Sequence, residues 1–470
     1  MAVTETTGGG ACAPSVPALP DPATEAVLSC GLVEELAYAL GGPFHFLLPG
    51  AFDANLRAMR AAVADAGVDG FVYFAKKSNK AAVWVERCVA GAAGVDVASV
   101  GELREALGHG VRGEDVVVTG PAKGRELLDL ALRHGALIAV DATDELDALL
   151  SAAAAPSGGG RPARVLLRCL PPAQPHSRFG MTDAELATAL DRCVQAGDAV
   201  RMEGFSFHLS GYEVAPRADL AARLVERCLK ARALGLRADR ISVGGGLPVS
   251  YTDAESWRGF LGAQHGGQYH AGKRFGGDDF YPYHSPVAGA DALRALLAAG
   301  PEGQGRPLAA LLREHGVALL VEPGRALLDR AGGSVFRVQG VKERSGQRLL
   351  TVDGSSLSLS EQWFNSEYLP DPWLLPLDRD GASGVFPAGV GAATCLESDM
   401  LSWRRIPFRR RPRVGDLLVY PNTAGYQMDS NESPFHELPL PPKVVVDRVE
   451  RTDAPGGRPR WRFDRHFLRA

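Results

Sequence analysis

From residue 71 the chain alternates between short apolar runs and longer stretches in which apolar residues recur every three or four positions. The runs FVYFA, VDVAS, DVVVTG, LIAVD, RVLLRCL, GFSFHL, RISVGGG and ALLVEPGR end near Lys77, Ser99, Gly120, Asp141, Leu170, Leu209, Gly246 and Arg325. Helical periods fall between them, for example over residues 81–92, 101–109, 124–134 and 217–234. Eight strand-like runs separated by amphipathic helices predict an α/β fold, a parallel (β/α)8 TIM-type barrel over residues 51–330, and about 250 residues is the usual size of one. An open doubly wound sheet is the alternative, but it would not require eight units.

Beyond residue 330 the pattern changes. The runs SVFRVQGVKE, RLLTVDG, DLLVYPNTAG, KVVVDRVE and RWRF alternate without long helices between them. They predict a smaller C-terminal β domain over 331–470. Ahead of the barrel, residues 26–40 carry a helical period and FHFLL at 44–48 reads as a strand, so residues 25–50 are expected to join the β domain. Residues 1–24, rich in Gly, Ala, Pro and Thr, read as a disordered lead-in. They lack the basic start and continuous apolar segment of a signal peptide. Residues 152–162 and 299–307 read as surface connections.

Composition narrows the function classes. With 470 residues, 46% hydrophobic and 23% charged, the chain can bury the cores of two domains. A net charge of −4 argues against general nucleic-acid binding. No apolar run approaches the roughly 18 residues that span a bilayer. Seven cysteines are scattered without CxxC spacing. That is a reduced, cytoplasmic pattern with neither a disulfide framework nor a zinc site.

The chemistry concentrates at strand ends, where barrels carry their working residues. The first run stops abruptly in Lys76-Lys77. A lysine at a barrel mouth, partly desolvated, can lose its proton and hold an aldehyde cofactor as a Schiff base. Strand seven ends in Gly244-Gly245-Gly246, where backbone N–H groups can approach an anion closely, and strand eight in Glu322-Pro323-Gly324-Arg325. These are the two strands that commonly hold phosphate in a barrel. A buried Glu322 would keep a pyridine nitrogen protonated, and His208 at the end of strand six could stack on a flat ring. Taken alone, His208 reads rather as a hydrogen-bonded strand-end histidine. Lysine, glutamate, phosphate cradle and stacking group together describe a pyridoxal phosphate site.

These motifs resemble the fold-type III pyridoxal phosphate decarboxylases, the family of diaminopimelate, ornithine and arginine decarboxylases with an alanine racemase-like barrel. The resemblance runs from about residue 44 to about residue 446. FAKKSN resembles the family's lysine motif and implies Lys77 as the Schiff-base residue. VDVASVGEL resembles the second-strand motif and carries Asp96. Ser177-Arg178-Phe179-Gly180 resembles the family's serine-lysine-phenylalanine-glycine segment, with Arg168 upstream at a family arginine. FSFHL implies the stacking His208, the glycine triplet the phosphate loop, and EPGR the pyridinium partner Glu322 with Gly324 and Arg325. Thr423-Ala424-Gly425-Tyr426 resembles the segment whose tyrosine reaches the phosphate. Thr394-Cys395-Leu396-Glu397-Ser398-Asp399 resembles the catalytic cysteine loop, contributed by the second subunit of a homodimer. It implies Cys395 as the proton donor, with Glu397, Ser398 and Asp399 near the substrate.

The chain also departs from that pattern. Leu396 stands where the diaminopimelate and ornithine enzymes have an acidic residue that recognises the substrate's distal amine. Residues 264–283 form a long aromatic and glycine-rich insertion, expected to be a substrate-facing lid. Arg404, Arg405, Arg409, Arg410, Arg411 and Arg413 crowd one segment and read either as a solvated face or as an attractor of a polyanionic substrate. With these features the chain most resembles a branch that decarboxylates amino acids conjugated to a larger acid, the staphyloferrin-type citryl-diamine decarboxylases of siderophore biosynthesis. The alternatives are a decarboxylase of free diaminopimelate, ornithine, lysine or arginine, and a non-catalytic regulatory homologue.

Overall fold

The computed structural model describes residues 12–155, 161–361, 366–377, 384–447 and 459–464. After strand β1 (Phe44–Leu47) come eight strands: β2 (Gly70–Ala75), β3 (Gly94–Val97), β4 (Val116–Val118), β5 (Leu137–Val140), β6 (Ala163–Arg168), β7 (Val200–Ser206), β8 (Arg240–Ser242) and β9 (Ala318–Val321). Each pairs in parallel with the next, and β2 pairs with β9, closing a barrel. All eight strands fall where the apolar runs predict them. Helices cover the outside, and the barrel is filled at mid-height by Tyr73, Val117, Leu137, Leu166 and Leu320. Because side chains alternate across a strand, residues an even number of positions further on point into the barrel as well. That parity brings Thr119, Asp141, Arg168 and Glu322 to its C-terminal mouth, and a single helical turn after β2, Lys76–Ser78, carries Lys77 there beside Asp96 and Glu322.

The second domain is built from β10 (Gly332–Arg344), β11 (Gln347–Val352), β12 (Trp373–Leu375), β13 (Phe386–Gly391), β14 (Met400–Phe408), β15 (Leu417–Tyr420), β16 (Lys443–Val446) and β17 (Trp461–Phe463). β1 belongs to this sheet, antiparallel to β10 and parallel to β16. The helical period at 26–40 resolves into two helices, Pro22–Ser29 and Leu32–Leu40, broken at Gly31 with φ +75°. Residues 1–11 of the expected lead-in lie outside the described residues, and the rest of it is ordered: Val16 is buried in the main core and Leu19 N–H donates to Tyr251 O. An apolar anchor flanked by prolines docks there, which composition alone does not reveal.

The β domain grips the loop that follows β2. Tyr426 N–H donates to Ser78 O at 2.8 Å, Asn79 Nδ2 to Ala424 O at 2.8 Å, and Lys80 N–H to Asp429 Oδ2 at 2.8 Å. Asp464 accepts from the N–H groups of Ala82 and Val83, each at 3.0 Å, at the positive end of the next helix. Lys77 is therefore positioned from both domains.

Candidate active site

Lys77 is accessible to solvent although protein surrounds it, as befits a side chain standing in an open well. Burial alone would lower its pKa, but Asp96, Tyr426 and Glu322 together raise it. The expected loss of its proton through desolvation is thus reversed, because two carboxylates share the well. Lys76, beside it, is buried against Glu105 at 3.0 Å and serves packing. Asp96 accepts from Thr119 Oγ1 at 2.6 Å; burial raises its pKa against the pull of Lys77. Glu322 Oε1 accepts from Ser242 Oγ at 2.6 Å. Burial, then the charge of Asp96, pushes Glu322 up to about 7. The His208 imidazole is driven down to about 3 by burial and by Lys77, Arg168 and Arg217, so it is neutral.

Arg168 is held by Asp141 Oδ1 at 3.0 Å and stacks on Phe179, its guanidinium 4.6 Å from the ring centroid. Arg178 covers the same ring at 4.3 Å. Asp141 Oδ1 also accepts Gly180 N–H at 3.1 Å, so it fixes the whole loop after β6. Behind it, Glu145 accepts Asp141 N–H and pairs with the buried Lys123 at 2.8 Å.

The glycine triplet has the geometry of a cradle. Gly244 and Gly246 have φ of +65° and +75°, and a Cβ on Gly245 would lie 2.8 Å from Glu322 O. Gly244 O accepts Glu322 N–H at 2.9 Å, locking the loops after β8 and β9 together. Gly244 also borders His208: a Cβ there would lie 3.2 Å from Nδ1. At Gly324 a Cβ would meet the Tyr426 hydroxyl at 2.7 Å, so that hydroxyl reaches the rim only because glycine is present.

Other expected residues have different surroundings. Arg325 is buried and forked onto Glu361 at 3.2 and 3.1 Å, with Tyr251 OH at 2.9 Å and the Tyr281 ring at 4.2 Å. It braces the wall from within. Asp399 is buried and accepts from Thr394 Oγ1 at 2.6 Å and Ser356 N–H at 2.7 Å, organising its own loop, while Glu397 and Ser398 are exposed. Cys395 is exposed in the β domain, and among the described residues no hydrogen bond or ion pair ties it to the barrel mouth. The arginine-rich segment is largely strand β14 and its turn: Arg404 is buried against Glu367 and Asp371, Arg405 is buried with its guanidinium on Gly267 O, and Arg410 pairs with Asp416 at 2.7 Å. Only Arg409, Arg411 and Arg413 face solvent. The insertion is not a lid, because Tyr269, Phe280, Tyr281 and Tyr283 are buried, packed on Tyr251, Trp257 and Tyr368 between the domains. The histidines in and beside it are dispersed: His265 accepts Gly267 N–H, His270 lies near Trp403, and His284 meets Thr252 O.

The sequence reading passed over Ser242, Thr119, Asp141, Ser206 and Arg217. The first four lie at strand ends with inward parity, so the rule that found Glu322 would have found them. The donor set fits pyridoxal phosphate: an accessible lysine, a carboxylate braced by a serine, and two left-handed glycines. The Ser206 hydroxyl at the mouth's floor is buried without a partner among the described residues, leaving one donor for a ligand.

Comparison with known proteins agrees with that fit. Residues 50–262 match the pyridoxal-dependent decarboxylase family, pyridoxal binding domain. An uncharacterized protein of Sinorhizobium fredii is 38% identical over 86% of this chain and 88% of its own. A diaminopimelate decarboxylase of Actinosynnema pretiosum is 28% identical over 89% of this chain and 87% of its own. In fold, the chain is similar to Helicobacter pylori diaminopimelate decarboxylase complexed with L-lysine, with a TM-score of 0.68 at 17% identity over 92% of this chain and 95% of the other. It is equally similar to Vibrio vulnificus lysine/ornithine decarboxylase complexed with cadaverine, with a TM-score of 0.68 at 20% identity over 89% and 96%. The chain belongs to the fold-type III pyridoxal phosphate-dependent amino-acid decarboxylases, the group of the diaminopimelate, ornithine and arginine enzymes.

Proposed function

We propose that Lys77 tethers the cofactor, Glu322 faces its ring nitrogen, His208 covers its ring, and Gly244, Gly245, Gly246 and Tyr426 hold its phosphate. The observation that carries this reading is the convergence of Lys77, Asp96, Glu322 and His208 on one barrel mouth. Bound there, pyridoxal phosphate supplies an electron sink for the carbanion left when carbon dioxide departs. Lys77 must first give up its raised proton, and Asp96 and Glu322, both shifted toward protonation, are the acceptors beside it. The neutral His208 can lie against an aromatic face without adding charge. Ser242 fixes one oxygen of Glu322, and the carboxyl so held would pair with the ring nitrogen. Cys395 of a second protomer returns the proton to the α-carbon.

For the substrate we infer an L-amino acid conjugated to a larger acid, of the citryl-diaminopropionate type met in siderophore biosynthesis. Leu396 supports this, because an apolar residue after Cys395 cannot pair with a distal ammonium. Arg178 supports it too: it is exposed over Phe179 with no ion-pair partner among the described residues, a cation at the mouth suited to a carboxylate. The buried arginines of β14 no longer contribute. Free diamino acids are the second reading, favoured by the diaminopimelate decarboxylases among the relatives. The test is carbon dioxide release over diaminopimelate, ornithine, lysine, arginine and citryl-diaminopropionate. Turnover of the citryl compound alone is expected, and turnover of a free diamino acid would move the enzyme to the second reading.

A further inference from the structure

We infer that Arg217 supplies the countercharge of the phosphate cradle and positions it; this rests on the reading that Gly244–Gly246 receives the cofactor phosphate. Arg217 lies on the helix Val214–Ala233 and turns inward, only 2% exposed. Its guanidinium makes three hydrogen bonds, all to backbone carbonyls. Nη1 donates to Val243 O at 3.0 Å, and Nη2 to Leu209 O at 3.1 Å and Gly211 O at 3.0 Å. Val243 immediately precedes the glycine triplet and Leu209 immediately follows His208. One side chain therefore ties the stacking loop to the cradle loop. A Cβ on Gly246 would lie 2.4 Å from Nη2, so the charge sits directly behind the backbone of the third glycine.

What distinguishes Arg217 from a simple brace is its missing anion. Other inward-turned arginines of this chain face acids: Arg325 faces Glu361, Arg404 faces Glu367 and Asp371, and Arg164 faces Glu203. No carboxylate pairs with Arg217 among the described residues, and burial brings its pKa down to about 10. Carbonyl dipoles satisfy its N–H groups but do not neutralise a full charge, and a buried uncompensated charge is unfavourable. A phosphate on the far side of the glycine backbone provides the missing charge. Its arrival would also stiffen the loop that carries His208.

The experiment titrates the full-length, cofactor-stripped protein with pyridoxal phosphate and with pyridoxal, which lacks the phosphate, by calorimetry. Arg217→Met is expected to weaken pyridoxal phosphate at least tenfold, about 1.4 kcal/mol, while pyridoxal affinity changes less than threefold. Arg217→Lys should restore most of the preference for the phosphorylated form. Inorganic phosphate should compete with pyridoxal phosphate on the parent protein and less on Arg217→Met. An equal loss of both ligands in Arg217→Met, unrelieved in Arg217→Lys, would make Arg217 a brace only and overturn the inference. If Arg217→Met does not fold, Arg217→Lys and Arg217→Gln carry the same comparison. Gly246→Ala separates the two layers. If it selectively weakens pyridoxal phosphate while Arg217→Met does not, the cradle stands and the countercharge falls. If neither variant discriminates, the phosphate binds elsewhere and both readings fall.

Discussion

Lys77 and Glu322 place opposite demands on the same well, and each can be read separately. Lys77→Ala removes the only amine proposed to capture the cofactor aldehyde. Borohydride treatment should then fix no pyridoxyl group on the chain, whereas the parent protein should carry it on the peptide containing Lys77; labelling that survives the substitution would remove Lys77 from its role. Glu322 is read by pH. Its folded-state pKa, about 7, lies above the ordinary 4.5, so between those values the folded cofactor-free protein holds a proton the unfolded chain has released. Stability contributed at that group is therefore full at the acid end and lost as pH rises toward 7. Glu322→Gln should flatten the fall of Tm across that window, and an unchanged slope would mean the carboxyl is not desolvated. Asp329 and Glu367, raised by burial to about 6 and about 7, keep part of the slope in the variant. Both Lys77 and Glu322 were legible in sequence because each ends a long apolar run. The protonation of Lys77 was not legible, since it depends on Asp96 and Tyr426, brought in from a second strand and a second domain.

At the scale of elements, the insertion is a wedge and should behave as one. Tyr283 OH donates to Glu367 O at 3.2 Å and accepts Leu369 N–H at 3.1 Å, while its ring meets Tyr251, Trp257, Tyr281 and Tyr368. Tyr283→Ala should cost about 3 kcal/mol or more, by analogy with other buried aromatic truncations, and Tyr283→Phe about 1 kcal/mol. Urea unfolding measures both. A lid would give the opposite result, unchanged stability with an altered kcat. The length of the insertion was visible in sequence, but its partners were not: Tyr368 and Trp403 are about a hundred residues away. β14 was hidden for a related reason. Its sequence MLSWRRIPF holds two arginines and a proline, and it reads as a strand only once Glu367, Asp371 and the carbonyl of Gly267 are there to receive the arginines. β12, three residues long, carries no period at all. The eight barrel strands were readable because each is buried by its own composition.

The whole molecule poses the question of where the proton donor comes from. Cys395 and its neighbour Leu396, the latter 48% exposed, project from the β domain into solvent, whereas Lys77 stands at the barrel mouth of the same chain. If a second protomer completes the site, the two residues of one working site belong to different chains. A twofold dimer then has two equivalent sites, each with one lysine and one cysteine contributed in trans. That arrangement gives a result no monomeric site can give. Lys77→Ala and Cys395→Ala should each be inactive as homodimers. Mixed after mild dissociation, they should form heterodimers in which one site carries both defects and the other neither. With random pairing half the dimers are mixed and half their sites intact, so about a quarter of the parent activity should return. Activity should fall on dilution below the dimer dissociation constant and recover on concentration. Absence of recovery on mixing, with subunit exchange shown by mass, would place donor and lysine in one chain. The loop 392–399 would then have to close onto its own barrel, although Asp399 now pins it to Ser356 and Thr394.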